Sequence, residues 1–216
     1  MAFEFLVFQI IVLIFSVVIH EFSHGWMANH LGDPTAKYAG RLTLNPIKHL
    51  DPLGSVIIPL FLLIAQSPIL IGWAKPVPYN PYNLRDQKYG SALVGAAGPA
   101  SNLIAALFFG IILRIIAFQG IAESLIPFLG LIVLINVLLA VFNLLPIPPL
   151  DGSKILFAVL PDSMNDLKVT FERYGLFVLI FFLFFLLPII FPIIFWLSKL
   201  IMGQTAFNNF LLISGG

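Results

Sequence analysis

The fold is decided by FLVFQIIVLIFSVVIHEFSHGWMANHL, residues 5–31, a long apolar run with a polar cluster near its C-terminal end. A run of about 20 apolar residues is long enough to cross the hydrocarbon core of a bilayer as a helix. Charged side chains inside such a helix cost about 2.5–3.5 kcal/mol each on insertion scales, so their presence indicates a function. The sequence therefore predicts a membrane-spanning helix over residues 3–31 that carries a functional cluster.

The polar cluster is His20-Glu21-Phe22-Ser23-His24. Residues four apart share one face of a helix, so the imidazoles of His20 and His24 can bind the same metal ion. Glu21 lies beside them on the turn, where it can accept a proton from an attacking water. A hydrolytic zinc site usually has one more protein ligand and leaves a position for water. The alternatives are a chance spacing, or histidines that are simply hydrogen-bonded inside a helix bundle.

Composition indicates a polytopic membrane protein. Of 216 residues, 60% are hydrophobic and only 10% are charged, too few charges to cover a soluble domain of this size. We predict an all-α bundle of about four to six transmembrane helices that forms a single domain over residues 1–216. The net charge of +1 gives no excess of positive charge to attract nucleic-acid phosphates, so no nucleic-acid partner is expected. The chain has no cysteine, so zinc would have to be held by histidines and carboxylates.

Three further spans are predicted, over residues 91–118, 124–145 and 174–202. The last contains two prolines and is compatible with one long helix or two shorter pieces. Residues 73–90, WAKPVPYNPYNLRDQKYG, alternate polar and apolar side chains and predict a short β-hairpin. Within 91–118, small residues recur at every fourth position, which favours close helix packing in lipid. They form two stripes, Ala92/Ala96/Ala100 and Ala97/Ser101/Ala105. Asn102 is the one strongly polar side chain there, either an interhelical hydrogen-bonding group or part of a site.

The positive charges predict the topology. Nine of the eleven Lys and Arg residues fall within 37–48, 75–88 and 154–173, and positive residues mark the cytoplasmic side. This arrangement requires that the proline-broken apolar stretch 52–73 does not cross the membrane, so a re-entrant loop is expected there. The same topology brings Asp151 to the depth of the two histidines. Asp151 is therefore a candidate third metal ligand; the alternative is a turn-forming Asp-Gly pair.

Three motifs together resemble the site-2 protease family of intramembrane zinc metalloproteases: HEFSH (20–24), GPASN (98–102) and NLLPIPPLDG (143–152). The phrases GRLTLNPIKHLDPLG (40–54) and GWAKPVPYNP (72–81) are similar to a compact prokaryotic branch. No PDZ domain is evident between the motifs, and no nucleotide-sensing domain follows the last helix. The resemblance covers roughly residues 10–160.

The resemblance implies zinc held by His20, His24 and Asp151, with Glu21 as the catalytic base. It also implies a multi-pass protein of the cell membrane, with a site slightly below the cytoplasmic surface that cleaves membrane-spanning substrates in the lipid bilayer. Asn102 and Asn143 are expected close to that site.

Two other functions stay open at this point. A zinc-binding membrane protein with a regulatory, non-proteolytic role is disfavoured by Glu21, since a base is needed only for hydrolysis. A metal transporter is disfavoured because transporter sites lie near the bilayer midplane, usually between inverted repeats. The sequence shows no internal repeat, and the predicted site is shallow.

Overall fold

A computed structural model describes residues 2–65 and 72–214 as a bundle of helices. The α-helices are α1 (Ala2–His30), α2 (Thr35–Tyr38), α3 (Ile58–Ile64), α4 (Gln87–Gln119), α5 (Ile126–Asn143), α6 (Asp151–Val159), α7 (Asn165–Met202) and α8 (Gln204–Ser214). Short 3-10 helices lie at Pro46–Lys48, Pro81–Asn83, Glu123–Leu125 and Asp162–Met164, and a π-helix lies at Pro52–Ile57. The predicted all-α class is confirmed for the described residues.

Four of these helices, α1, α4, α5 and α7, are long and apolar enough to cross a membrane. Their bounds agree within a few residues with the predictions for 3–31, 91–118 and 124–145. Helix α7 is a single helix, continuous through both of its prolines, and it begins at Asn165 instead of residue 174. The predicted start was drawn where the polar residues end. Hydropathy locates a membrane boundary, and a helix is free to continue past it into water.

Helix α4 is the centre of the bundle. It packs against α1 on one side and against α5 and α6 on the others. The main hydrophobic core is formed mostly by α4, α5, α7 and α8, and includes Val12, Ala106, Leu113, Ile126, Leu131, Val133, Ile135, Val137, Ile190, Ile194, Met202, Ala206, Phe207 and Phe210. This arrangement leaves one end of α4 between the histidine-bearing helix α1 and the start of α6, where Asp151 lies.

The end of α1 and the start of α4 lie together. Helix α1 is followed by Gly32, which has a φ of 109°, and α4 begins after Asp86, whose side chain accepts hydrogen bonds from the first turn. The backbone N–H of Arg85 donates to the carbonyl of Leu31 at 3.0 Å. The chain between these two residues therefore leaves and returns at the same end of the bundle.

The predicted β-hairpin at 73–90 is wrong, since residues 72–90 contain no strand and residues 87–90 belong to α4. The alternating pattern was created largely by prolines, which have no N–H to donate to a strand ladder. The available amides bond elsewhere in the fold. The N–H of Val77 donates to Glu21 Oε2, and that of Asn80 donates to Asp33 Oδ2. Side chains of α1 and of its C-terminal turn therefore hold the segment in place of a partner strand.

The predicted re-entrant loop at 52–73 is not supported. The described part forms the π-helix and α3, while residues 66–71 lie outside the described residues. The two ends of this stretch do meet: the N–H of Trp73 donates to the carbonyl of Gly54 at 3.1 Å, and Ser55 Oγ donates to the carbonyl of Trp73 at 2.7 Å. These bonds form a neck, defined here as Gly54, Ser55 and Trp73, but they do not show that the stretch enters a bilayer.

Candidate metal centre

His20 and His24 lie one turn apart on the face of α1 that packs against α4. Both are buried, and their Nε2 atoms point toward a common point. Glycine at position 98 of α4 makes this possible. A methyl group there would lie 2.5 Å from His24 Nε2 and 2.6 Å from His20 Nε2. Only the absence of a side chain at position 98 lets the two imidazoles fit between the helices.

Helix α4 also fixes the tautomer of each imidazole. His24 Nδ1 lies 2.6 Å from the carbonyl oxygen of Val94, which can only accept, so Nδ1 carries the proton. His20 Nδ1 lies 2.6 Å from Asn102 Oδ1. The Asn102 amide nitrogen donates to the carbonyl of Ser16, which establishes that its Oδ1 is the acceptor for His20. In the neutral imidazoles, both Nε2 atoms therefore present lone pairs to the site.

A polar network behind His20 links three helices. Asn102 on α4 donates to Asn136 Oδ1 on α5, and Asn136 donates in turn to Ser16 Oγ on α1. All three side chains are buried. Partners of this kind orient the ligating imidazole and are a regular part of metal sites.

Asp151 is brought to the histidines across 131 residues of sequence. It is the first residue of α6, and its Oδ2 lies 3.1 Å from His20 Nε2 and 3.0 Å from His24 Nε2. The next residue, Gly152, lies against the carbonyl of Leu144, where a side chain would collide. This close contact holds the start of α6 beside the end of α5 and directs Asp151 inward.

Glu21 lies beside the three converging atoms. Its ligand atom is within 4.8 Å of those of His20 and His24, so it could also be counted in a metal-binding group. Asp151 Oδ2 lies 3.0–3.1 Å from the two Nε2 atoms, and Glu21 Oε2 accepts the N–H of Val77 at 2.7 Å. These distances favour Asp151 as the ligand and Glu21 as a neighbouring proton acceptor.

These donors fit zinc. Two imidazole lone pairs and a carboxylate oxygen at 3.0–3.1 Å repel one another unless a positive charge lies among them, either a metal cation or an added proton. Nitrogen and oxygen atoms bound to one tetrahedral zinc at 2.0–2.2 Å would be about 3.3 Å apart, close to the observed spacing. The donor types and the spacing of their atoms are therefore those of a zinc site with one position left over.

A cavity of about 230 Å³ opens beside this cluster. It is lined by His20, Glu21, His24, Pro76, Val77, Tyr79, Val94, Asn143, Pro149, Asp151 and Lys154. Asn143, which the resemblance expected near the site, is at its wall and donates from its side chain to the carbonyl of Leu139. Asn102 contacts His20 directly. Every residue predicted for the site thus lies in or against one cavity.

Sequence reasoning missed Val94, Gly98, Asn136 and Lys154. A backbone carbonyl and a missing side chain leave no chemical signal in a sequence. Gly98 was within a quoted motif but had no assigned part. Lys154 could have been found, because it follows Asp151 by three residues and so shares its side of a helix.

Known proteins support the same chemistry. Residues 110–186 match Peptidase family M50. "Putative zinc metalloprotease YwhC" of Bacillus subtilis is 38% identical over 180 residues, 80% of this chain and 78% of that protein. "Putative zinc metalloprotease Rip2" of Mycolicibacterium smegmatis is 31% identical over 169 residues, 76% of this chain and 62% of that protein. "Zinc metalloprotease MJ0392" of Methanocaldococcus jannaschii is 30% identical over 161 residues, 74% of this chain and 36% of that protein. No solved structure matches the chain.

The fold, the site and these relatives define a class, the multi-pass membrane proteins that are zinc metalloproteases. The chain belongs to peptidase family M50, the site-2 protease family that its three motifs indicated. The predictions of zinc as cofactor and of metalloprotease activity are confirmed. The family assignment therefore favours a protease over the regulatory and transport alternatives.

Proposed function

We propose that this metalloprotease hydrolyses peptide bonds within or next to the transmembrane segments of other membrane proteins, as one membrane-embedded domain. The supporting observation is the convergence of His20, His24 and Asp151 beside Glu21, inside helices of membrane-spanning length. Substrates that lie in the bilayer can reach a site built into such helices, whereas most soluble proteins cannot.

In this proposal His20, His24 and Asp151 hold the metal and Glu21 transfers the proton. Bound zinc would lower the pKa of a water to about 7 and polarise the scissile carbonyl. Glu21 accepts a proton from the attacking water as the water oxygen adds to the carbonyl carbon. When the C–N bond breaks, Glu21 returns that proton to the leaving amine. The Val77 N–H holds the Glu21 carboxylate in position for both transfers.

The backbone of the substrate restricts the form in which it can be cut. In a helix each amide is hydrogen-bonded within the helix and surrounded by side chains, so a substrate helix must unwind locally before its scissile amide reaches Glu21. Unwinding frees backbone groups that need new polar partners in lipid. Pro76, Val77 and Tyr79 line the cavity beside the position such a peptide would occupy.

We place the site near the cytoplasmic face. Lys37, Arg41, Lys48 and Arg85 all lie in the connection between α1 and α4, at the end of the bundle that holds the histidines. Positive residues accumulate on the cytoplasmic side of short connections.

The test is co-expression with a panel of single-span membrane proteins, with wild type compared with Glu21→Gln and Asp151→Ala. We expect wild type to produce a fragment cut within or beside the span. Glu21→Gln should retain near-normal zinc and give no fragment, because only proton transfer is lost. Asp151→Ala should lose both zinc and cleavage, because a ligand is removed.

Each assignment has its own contrary result. Loss of zinc in Glu21→Gln would make Glu21 a ligand. Full zinc and activity in Asp151→Ala would remove Asp151 from the site. If wild type cut a soluble unfolded protein as readily as the panel members, the restriction to transmembrane substrates would be wrong.

A further inference from the structure

Lys154 is a cationic side chain held in a defined position at the wall of the catalytic cavity. Its Nζ donates to Asp151 Oδ1 at 3.0 Å and lies 5.4 Å from the centre of the Tyr79 ring. Its aliphatic stem passes Gly95 of α4, where an added methyl would lie 3.1 Å from both Cβ and Cδ. A glycine notch, an aromatic ring and a carboxylate therefore fix this lysine.

The two oxygens of Asp151 are used differently. Oδ2 faces the two histidine Nε2 atoms, while Oδ1 accepts from Lys154. An ammonium group has three N–H donors, and the contact with Asp151 uses one. The Lys154 side chain is 30% exposed and borders the cavity, so its head group can offer another donor to a molecule bound there.

Peptide hydrolysis needs such a donor. When water adds to the carbonyl carbon, the carbonyl electron pair moves to oxygen and creates an oxyanion. A preorganised positive group aimed at that oxygen is worth about 10²–10³ in kcat. Among the described residues that line the cavity, Lys154 is the only Lys or Arg.

We infer that Lys154 is a catalytic residue that donates a hydrogen bond to the scissile carbonyl oxygen and stabilises the oxyanion. This inference rests on the proposed peptide hydrolysis at this site. Lys154 keeps its proton throughout: Glu21 takes the proton of the water and passes it to the amine, while the oxyanion regains its double bond as the C–N bond breaks.

A purely positioning effect on Asp151 is the competing explanation, and it makes a different prediction. If Lys154 only oriented the Asp151 carboxylate, its removal would weaken metal binding. If it contacts the oxyanion, its removal would leave the metal bound and would selectively weaken ligands that carry a tetrahedral anion.

The experiment uses the full-length protein with Lys154→Met, which keeps the stem and removes the charge, and Lys154→Arg, which keeps a positive donor. Lys48→Met is the matched control, because Lys48 is exposed at the end of a 3-10 helix away from the cavity lining. Zinc content is measured for each variant. Binding of a phosphinic peptide, which carries a tetrahedral anion, and of a thiol peptide, which binds metal without one, is followed by the visible spectrum of the Co²⁺-loaded protein.

We expect Lys154→Met to keep its zinc, to bind the thiol peptide normally and to lose about 10²–10³ in affinity for the phosphinic peptide. Cleavage of a panel substrate should fall in parallel through kcat, with partial recovery in Lys154→Arg. Unchanged phosphinic affinity, equal weakening of both inhibitors, or loss of zinc would each overturn the inference. The inhibitor titrations need no substrate, so failure of wild type to cut the panel would contradict the proposed function alone.

Discussion

At the scale of single residues, the site depends on which atom of each imidazole is already occupied. The carbonyl of Val94 and the amide oxygen of Asn102 each bind one Nδ1, so the lone pairs of both Nε2 atoms face the cavity. Residue spacing in α1 predicted that His20 and His24 share a face. It could not predict their partners, because any carbonyl of a neighbouring helix accepts a hydrogen bond regardless of the side chain it carries.

Asp33 lies in the turn that follows α1. In the structure it is fully buried and accepts hydrogen bonds from Thr35, from the Asn80 N–H at 2.6 Å and from Asn83 Nδ2 at 2.9 Å. Burial alone would raise the pKa of Asp33, but the hydrogen bonds from Thr35, Asn83 and Asn80 outweigh it and hold the pKa below its ordinary value.

Asp33→Asn is therefore expected to destabilise the protein at neutral pH. An amide cannot accept all of these bonds, and losing hydrogen bonds to a buried charged group costs about 1.5–3 kcal/mol. Because the folded pKa lies below the unfolded value of about 3.9, the stabilisation is complete above that value and is lost as pH falls through the folded pKa. Thermal unfolding in detergent, followed from pH 7 to pH 3, should show the two proteins converging toward low pH.

Asp166→Asn is the control for this experiment, since Asp166 is exposed in the first turn of α7. It should unfold like wild type throughout the pH range. A gap between wild type and Asp33→Asn that stayed constant down to pH 3 would show that the charge of Asp33 is not what stabilises the turn.

At the scale of elements, α4 is organised by glycine more than by alanine. Of the two predicted small-residue stripes, Ala100 is exposed and Ala97 is buried, while the glycines Gly90, Gly95, Gly98 and Gly110 are all buried. Equal spacing of small residues identifies candidate faces, but it does not reveal which neighbour occupies them. The buried face is selected by the histidines of α1, by Asp151 and Lys154 of α6, and by Ile201 near the end of α7.

Gly98→Ala is expected to disrupt the metal site while leaving the bundle folded. The new methyl would lie 2.5–2.6 Å from atoms of both imidazoles, so α1 or the two rings must shift. Zinc affinity should fall by at least about tenfold, the lower limit for disturbing the support of a metal ligand. Competition with chelators of graded strength measures the affinity, and circular dichroism measures helix content.

Ala100→Val adds bulk to the exposed side of the same helix and should change neither quantity. Normal zinc affinity in Gly98→Ala would mean that α1 and α4 can separate without cost at this point. The close approach of the helices would then be incidental to the site.

The elements differ in how well their structure could be predicted from the sequence. The membrane-spanning helices follow from apolar length, and the common face of His20 and His24 follows from their i, i+4 spacing. The prediction of a β-hairpin was wrong because prolines at positions 76, 78 and 81 produce an alternating pattern but lack the N–H groups that a strand needs. The role of Gly98 was not predicted, because this residue contributes only the space that the two imidazoles occupy.

At the scale of the whole molecule, the positive residues between α1 and α4 lie in the connection at one end of the bundle. The bond between Arg85 and Leu31 joins the end of α1 to the start of α4, so the two long helices are connected at one end of the bundle. The positive residues Lys37, Arg41, Lys48, Lys75 and Arg85 all lie in the chain between these two helices. Helix α4 then carries the chain to the opposite end, where Gly120, in the left-handed conformation, ends it.

A chain without cysteine allows this topology to be tested by single cysteines. Tyr82 is 81% exposed just before α4, and Ile121 is 52% exposed just after it. We expect an impermeant maleimide to label Tyr82→Cys and Lys168→Cys from the cytoplasmic side, and Ile121→Cys from the other side. Labelling of Tyr82→Cys only from outside would reverse the orientation of the catalytic end.

The neck at Gly54, Ser55 and Trp73 has a consequence for how the protein can diversify. Because Gly54 and Ser55 are hydrogen-bonded to Trp73, we expect residues added or removed between Ser55 and Trp73 to leave Asp51 and Lys75 in place. Doubling the length of a closed loop costs only about 0.6 kcal/mol. We therefore expect the length and sequence between Ser55 and Trp73 to be able to change while the peptidase core keeps its geometry.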